Sequence, residues 1–207
     1  MGKIKELLEQ LDDEGALAEA KAQLAAGTAP EEVLDECKEA MVTIGDEFSE
    51  GRMFVSDLMM AADIFESISA EVLPLIKGTD AGPGKGTVIL GTVEGDIHNI
   101  GKDIVSNMLL VSGFNVVDLG VNVAPDAFVA ALKENDAKVL ALSCLLVSCY
   151  GSIKNTVDAL QAAGLRDGVT VIIGGGPIDD HVVEYSGADA FGHDPQDAVR
   201  LCEEALA

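Results

Sequence analysis

Asp96 and His98 stand two residues apart in the stretch Gly91-Thr92-Val93-Glu94-Gly95-Asp96-Ile97-His98-Asn99-Ile100-Gly101-Lys102, between an apolar run and an amphipathic one. A histidine with a carboxylate close behind it suits one of two roles. The imidazole can bind a metal through one ring nitrogen while the acid accepts the proton on the other, or it can be a hydrogen-bonded loop histidine with no ligand. The residues of this stretch leave both open. Other chemistries lack their groups. The loop has neither G-x-G-x-x-G nor the Lys-Ser/Thr ending of a phosphate cradle. A phospho-accepting aspartate is expected at the end of the third strand, where Ser143 stands. Zinc needs three or four ligands, and His181 and His193 have no Cys or His at ligand spacing.

The elements that must position the pair are short β-rich runs alternating with helical windows, the signature of βα units and a parallel sheet. Strands are expected at Thr87–Thr92, Asn115–Leu119, Val139–Ser143, Val169–Ile173 and Ala188–Phe191. Helices follow near Gly101–Ser112, Pro125–Asn135, Gly151–Ala163, Asp179–Ser186 and Asp194–Ala205, with Pro125 and Pro195 in first-turn positions where a missing N–H costs little. The expected fold is α/β, a five-stranded flavodoxin-like sheet that binds ligands at the carboxyl ends of its strands. Three loops leave that edge. One carries Asp96 and His98, one is Ser143-Cys144-Leu145-Leu146-Val147-Ser148-Cys149, and one is Gly174-Gly175-Gly176-Pro177, where absent side chains let something large approach the backbone. Together they describe a deep slot.

Before the sheet, residues 3–76 show helical periodicity throughout. Helices near 3–10, 13–25, 30–48 and 55–76 suffice for a four-helix bundle. Thr28 is expected to cap the third, and Gly45 and Gly51 to bracket the break before the fourth. Lys77-Gly78-Thr79-Asp80-Ala81-Gly82-Pro83-Gly84-Lys85-Gly86 is linker-like, so the expected domains are 1–77 and 87–207 with a linker at 78–86.

The 207 residues are 48% hydrophobic and 24% charged, an ordinary globular composition. A net charge of −23 without a basic cluster argues against nucleic acid, which needs grouped Lys and Arg. No apolar run reaches the roughly 18 residues of a membrane span, and the amino terminus is charged, so a cytoplasmic protein with no membrane partner is expected. Cys37, Cys144, Cys149 and Cys202 have no framework spacing and read as small buried apolar groups of a reduced compartment.

Asp96-x-His98-x-x-Gly101, then Ser143-x-Leu145 and Gly174-Gly175, resembles the D-x-H-x-x-G, S-x-L, GG signature of cobalamin-binding proteins with a flavodoxin-like domain. The resemblance extends to the helical half. Gly45-Asp46-x-Phe48-x-x-Gly51-x-x-Phe54 and Leu58-Met59-Met60-Ala61-Ala62 are similar to the cap bundle of corrinoid proteins from methanogen and acetogen methyltransferase systems.

The resemblance implies a cobalamin or related corrinoid bound base-off, with His98 as the lower axial cobalt ligand and Asp96 fixing its tautomer. Ile97, Asn99, Ile100 and Gly101 on the same loop, with Ser143, Leu145, Val147, Ser148, Cys149, Gly174, Gly175, Gly176 and Phe191, would contact the cofactor or line the channel for its nucleotide tail. Phe54, Leu58, Met59 and Met60 would cover the upper face, although a Met-rich stripe at helical spacing reads equally as bundle core. Two positions depart from the family pattern. Cys149, beside Ser148, stands where a hydroxyl often completes a relay to the aspartate, and Asn99 stands where an Asp is common.

The implied activity is that of a corrinoid subunit in a multi-component methyltransferase system, with no complete substrate site of its own. Co(I) would accept a methyl group from a C1 donor such as a methylamine, methanol, a betaine or a methoxylated aromatic, through a substrate-specific methyltransferase. Methyl-Co(III) would yield it to a second methyltransferase acting on tetrahydrofolate or coenzyme M. His98 would bind and leave as the methyl group arrives and departs, and 78–86 would serve as a hinge. A corrinoid-activating protein is a further implied partner. Two related readings fit less well: the small subunit of an adenosylcobalamin-dependent mutase normally lacks the helical cap, and a B12-sensing regulator would usually carry a DNA-binding helix-turn-helix.

Overall fold

The computed structural model describes residues 2–75 and 85–207. The chain divides into two compact units, Met1–Gly82 and Pro83–Ala207. Most of the expected linker lies outside the described residues.

The first unit contains helices α1 (Lys3–Glu9), α2 (Asp13–Ala25), α3 (Pro30–Ser49) and α4 (Val55–Val72), then a 3₁₀ turn at Leu73–Leu75. Three- and four-residue spacing gives α3 a buried stripe of Val33, Cys37, Met41 and Ile44, and gives α4 one of Leu58, Ala61, Ile64, Ile68 and Val72. With Ile4 and Leu8 of α1 and Ala16 and Ala20 of α2, these residues form the buried core of the unit. Asp12 caps α2 by accepting from the Gly15 N–H at 3.0 Å, and Asp57 accepts from the Phe54 N–H at 2.8 Å as α4 begins.

Three details differ from the sequence expectation. Ala29, not Thr28, occupies the N-cap of α3, because the Thr28 N–H is engaged with the Gln23 carbonyl at the end of α2. Helix α3 runs through a buried Gly45, and the chain turns at Gly51, whose φ of 74° a side chain would resist. Helix α4 ends before Pro74, which lacks the N–H to continue it.

The second unit alternates β1 (Thr87–Thr92), α5 (Ile100–Val111), β2 (Asn115–Asp118), α6 (Pro125–Glu134), β3 (Val139–Ser143), α7 (Tyr150–Ala162), β4 (Thr170–Gly174), α8 (Asp180–Ser186), β5 (Ala190–Gly192) and α9 (Pro195–Leu206). The strands form one parallel sheet in the order β2-β1-β3-β4-β5, the flavodoxin-like arrangement. Strand β5 starts later than expected, because Asp189 is committed to the start of β4, its carboxylate accepting from the Val171 N–H at 2.7 Å.

Ile89, Leu140, Leu142, Val171 and Ile173 of the sheet pack in one core with Phe128, Ile153 and Leu160 of the helices. Gly91 is required here, since a Cβ on it would stand 2.8 Å from the Phe128 ring. The register matters most for function: Thr92 pairs with Ser143, Ser143 with Gly174 and Gly174 with Gly192. The strands thus end in a row, and the three motif loops leave side by side. Among the described residues no helix is long and apolar enough to cross a membrane.

Candidate functional site

Asp96 is the fixed point of the edge. Fully buried, it spends each carboxylate oxygen twice. Oδ1 accepts from the His98 backbone N–H at 3.1 Å and lies 2.6 Å from His98 Nδ1. Oδ2 accepts from the backbone N–H groups of Leu145 at 2.6 Å and Leu146 at 3.0 Å. Burial alone would raise the carboxyl's pKa. The hydrogen bonds from His98, Leu145 and Leu146 outweigh burial and hold it at about 2. An ionised carboxylate has no proton to give, so the 2.6 Å contact places the hydrogen on His98 Nδ1. In the neutral ring the Nε2 lone pair is then unprotonated, on a side chain that is 49% exposed.

The loop is tied down on both sides of the histidine. Thr92 Oγ1 donates to the His98 carbonyl at 3.0 Å. On the β2 side, Asn122 Oδ1 accepts from the Gly95 N–H at 2.7 Å, and the Asn122 N–H donates to the Asp96 carbonyl at 2.9 Å. Just beyond, Lys102 in the first turn of α5 is 3% exposed and paired with Asp103 at 2.6 Å and with Asp118 at the end of β2. Burial lowers its pKa, but the two carboxylates raise it further, and the ammonium stays charged. Asn99 joins this group by donating to Asp103 at 2.8 Å.

Around His98 the edge is apolar and open. Ile97, Ile100, Val121, Leu145, Leu146 and Val147 are all exposed, which an edge in contact only with water does not favour. Ser143 ends β3 in register with Thr92, and its carbonyl accepts from the Val93 N–H. Gly101 lies in the first turn of α5 with nothing near its missing Cβ. Of the three consecutive glycines, only Gly175 is forced by the protein itself. At φ 143°, a Cβ on it would collide with the Cys144 carbonyl oxygen, so this glycine serves loop packing before any ligand. A Cβ on Gly176 would stand 3.7 Å from the flexible end of Leu145, an ordinary contact, so this position has room. Tyr150 at the start of α7 donates its hydroxyl to the Pro177 carbonyl at 2.7 Å and so ties the β4 loop to α7. Phe191 is partly buried, edge-on to His193 at 4.6 Å between ring centres.

The open question of whether Ser148 or Cys149 reaches Asp96 has a structural answer: the backbone amides of Leu145 and Leu146 fill that place. Ser148 Oγ lies 3.9 Å from Cys149 Sγ, and Cys149 is buried in the core. All four cysteines are buried and unbridged, and burial raises the thiols of Cys37, Cys144 and Cys202 to about 12. In the helical unit, Phe54, Met59 and Met60 are exposed, but Leu58 lies on the buried stripe of α4 and is a core residue.

Sequence reasoning missed Thr92, Asn122, Lys102, Asp118 and the two amides. Of these, only Lys102 carried a signal: a cation in the first turn of a helix opposes the dipole and asks for a counter-charge.

Among the described residues no group of three or more His, Cys, Asp or Glu side chains could hold a bare metal ion. A lone oriented imidazole, ringed by apolar side chains, fits a metal that arrives with its own ligands in a flat, largely apolar frame. A corrinoid is such a group. The comparisons agree: residues 86–200 match the family model described as B12 binding domain, and residues 2–72 match a second model with the same description. The chain belongs to the B12-binding corrinoid proteins. It is 36% identical over its whole length to trimethylamine corrinoid protein 2 of Methanosarcina mazei, covering 95% of that protein. A cobalamin-binding protein from Desulfitobacterium hafniense shares its structure with a TM-score of 0.78 and 33% identity, over 99% of this chain and 97% of that one. The methanol:cobalamin methyltransferase complex of Methanosarcina barkeri contains a chain matching at a TM-score of 0.85 and 25% identity, over 99% of this chain and 78% of that one. In this corrinoid protein, the sheet edge that gathers Asp96, His98, Ser143 and Gly174 is part of the B12-binding domain.

Proposed function

We propose that this corrinoid protein is the methyl-carrier subunit of a methyltransferase system, with residues 87–207 as the cofactor-binding domain and residues 1–77 as its helical cap. The observation that carries the reading is the Asp96–His98 pair, which in the neutral ring turns the free nitrogen, Nε2, toward an exposed apolar setting. His98 would hold the cobalt of a bound corrinoid through the Nε2 lone pair. Asp96 keeps the ring proton on Nδ1 and makes the ring a better donor. The exposed apolar rim of Ile97, Ile100, Leu145, Leu146 and Val147 would keep water from the bound cofactor, and Ser143, Gly174, Gly176 and Phe191 would line the path for its nucleotide tail. Phe54, Met59 and Met60 are exposed apolar side chains of the helical unit and would be its candidates for touching the cofactor. When bound, the corrinoid supplies a cobalt that takes a methyl group from one partner and yields it to another.

A trimethylamine corrinoid protein and a methanol:cobalamin methyltransferase complex among the relatives support a small C1 donor and a methyltransferase as first partner; a second methyltransferase, acting on tetrahydrofolate or coenzyme M, would take the methyl group onward. A corrinoid-activating protein completes the set. The test is to load the protein with hydroxocobalamin, remove free cofactor by gel filtration and reduce to Co(II). With ¹⁵N-histidine, the electron paramagnetic resonance spectrum should show two-line nitrogen splitting, which His98→Ala should lose. Failure of the wild-type protein to retain corrinoid would overturn the proposal.

A further inference from the structure

Asn122 is outside every motif, yet among the described residues it is one of three non-glycine positions with a positive φ, here 54°. Left-handed backbone costs an L-residue about 1 kcal/mol or more, least for Asn and Asp, and such strain gathers where a site is held in place. Asn122 leads from β2 toward α6, so it approaches the histidine loop from a strand neighbouring the one that bears it. There it grips the Gly95–Asp96 segment from both directions: its side-chain oxygen accepts from the Gly95 N–H, and its own N–H donates to the Asp96 carbonyl. Gly95 itself turns at φ 88°, and the next residue is the carboxylate that orients His98. An isolated parallel bridge between Val93 and Val123 anchors the base of the grip in buried core.

We infer that Asn122 is a positioning residue for the axial histidine, clamping the Gly95–Asp96 turn so that Asp96 meets His98 Nδ1 and leaves Nε2 unprotonated. This rests on the proposed role of His98 as cobalt ligand. The side-chain half of the clamp needs an acceptor at position 122, and the main-chain half needs the left-handed backbone. Asn supplies both, Asp also supplies both, and Gly supplies only the second. No other residue types combine them as readily.

The experiment therefore compares Asn122→Gly with Asn122→Asp. Both should melt within a few degrees of wild type, because the position is exposed and the backbone conformation is kept. In corrinoid-free protein, ¹⁵N spectra of the three histidine rings, with His98 assigned through His98→Ala, report the tautomer directly. Wild type and Asn122→Asp should show His98 with Nε2 unprotonated. Asn122→Gly should show a mixture of tautomers and hold hydroxocobalamin about fivefold more weakly, the expected loss for one hydrogen bond. Wild-type tautomer and affinity in Asn122→Gly would overturn the inference, as would an Asn122→Asp variant as impaired as Asn122→Gly. Loss of corrinoid retention in the wild type itself would overturn the functional proposal instead, while the tautomer comparison would still judge the clamp.

Discussion

Replacing Asp96 by asparagine preserves shape and removes one acceptor. The carboxylate accepts four hydrogen bonds, two from loop amides at 2.6 and 3.0 Å and two from His98 at 2.6 and 3.1 Å. An amide nitrogen must now stand in for one oxygen. Placed at Oδ2, it meets two backbone N–H groups that cannot give way. Placed at Oδ1, it meets one backbone N–H and an imidazole that can change tautomer and accept. The second arrangement loses less, and its consequence is chemical: the proton moves to Nε2, and the lone pair proposed to bind cobalt is then on Nδ1, turned toward the asparagine. Asp96→Asn should therefore lose nitrogen splitting from Co(II)-loaded protein as fully as His98→Ala, although the ring remains. At least two charge-assisted bonds weaken, so stability should fall by about 3 kcal/mol, read by urea unfolding at neutral pH.

The acid limb supplies an independent check on the same substitution. A carboxyl held at about 2 against an ordinary 3.8 contributes stability that is present above pH 4 and is lost as pH falls through the folded value. The difference corresponds to about 2.5 kcal/mol at full ionisation. Wild type should lose that increment between pH 4 and 2, and Asp96→Asn should not. An Asp96→Asn protein that keeps Nε2 unprotonated, or that matches wild type in acid unfolding, would refute the reasoning.

Gly175→Ala should cost about 3 kcal/mol or more in urea unfolding, since its Cβ meets the unyielding Cys144 carbonyl, whereas Gly176→Ala should stay within about 1 kcal/mol. Lys102→Met leaves Asp103 and Asp118 without their cation; because both carboxylates are partly solvated, a loss of about 1–2 kcal/mol is expected. The raised lysine pKa means that this contribution is complete at neutral pH and disappears only as pH rises through a value above 10.5, so the difference from wild type should be constant from pH 7 to 9. Leu58→Ala should cost about 2–4 kcal/mol through its core cavity, but Phe54→Ser, at a side chain 75% exposed, should leave the melting curve within about 0.5 kcal/mol. Cys149→Ser should leave the His98 tautomer, read by ¹⁵N spectra, unchanged.

The parallel sheet was legible because its three central strands are buried on both faces and therefore form continuous apolar runs such as Val139–Leu142, bounded by Gly, Pro and polar turns. Helix ends were legible where a residue type has one structural meaning, as with Pro30, Pro125 and Pro195. They were not legible where a partner decides, and Thr28 lost its cap role to a bond with the preceding helix. The Asp96–His98 pair was visible as two residue types at a fixed spacing. The amides of Leu145 and Leu146 were not, because a backbone N–H is the same in every residue and only folding brings these two to a carboxylate almost fifty positions away. Asn122 was invisible for a related reason: its importance lies in a left-handed φ and a neighbouring loop, neither of which its side chain announces.

The departure at Cys149 follows from counting lone pairs. A carboxylate offers about four acceptor sites. His98 and the two loop amides use all four in this chain, and the loop carrying those amides begins in strict register with β1. A hydroxyl at position 149 would find no acceptor left on Asp96, so replacing it by a thiol that packs in the core removes nothing the aspartate uses. The same count explains why the site and the fold are hard to separate. The bonds that hold Asp96 ionised also tie the β3 loop to the β1 loop, so the carboxylate that orients the imidazole also fastens the edge together. A proton on Asp96 would loosen both at once. Because the carboxyl titrates at about 2, neutral pH lies far above that point, and His98 keeps its Nδ1 partner across the physiological range. A switch built on protonating Asp96 is therefore ruled out at neutral pH, and the tie between the β1 and β3 loops holds with it.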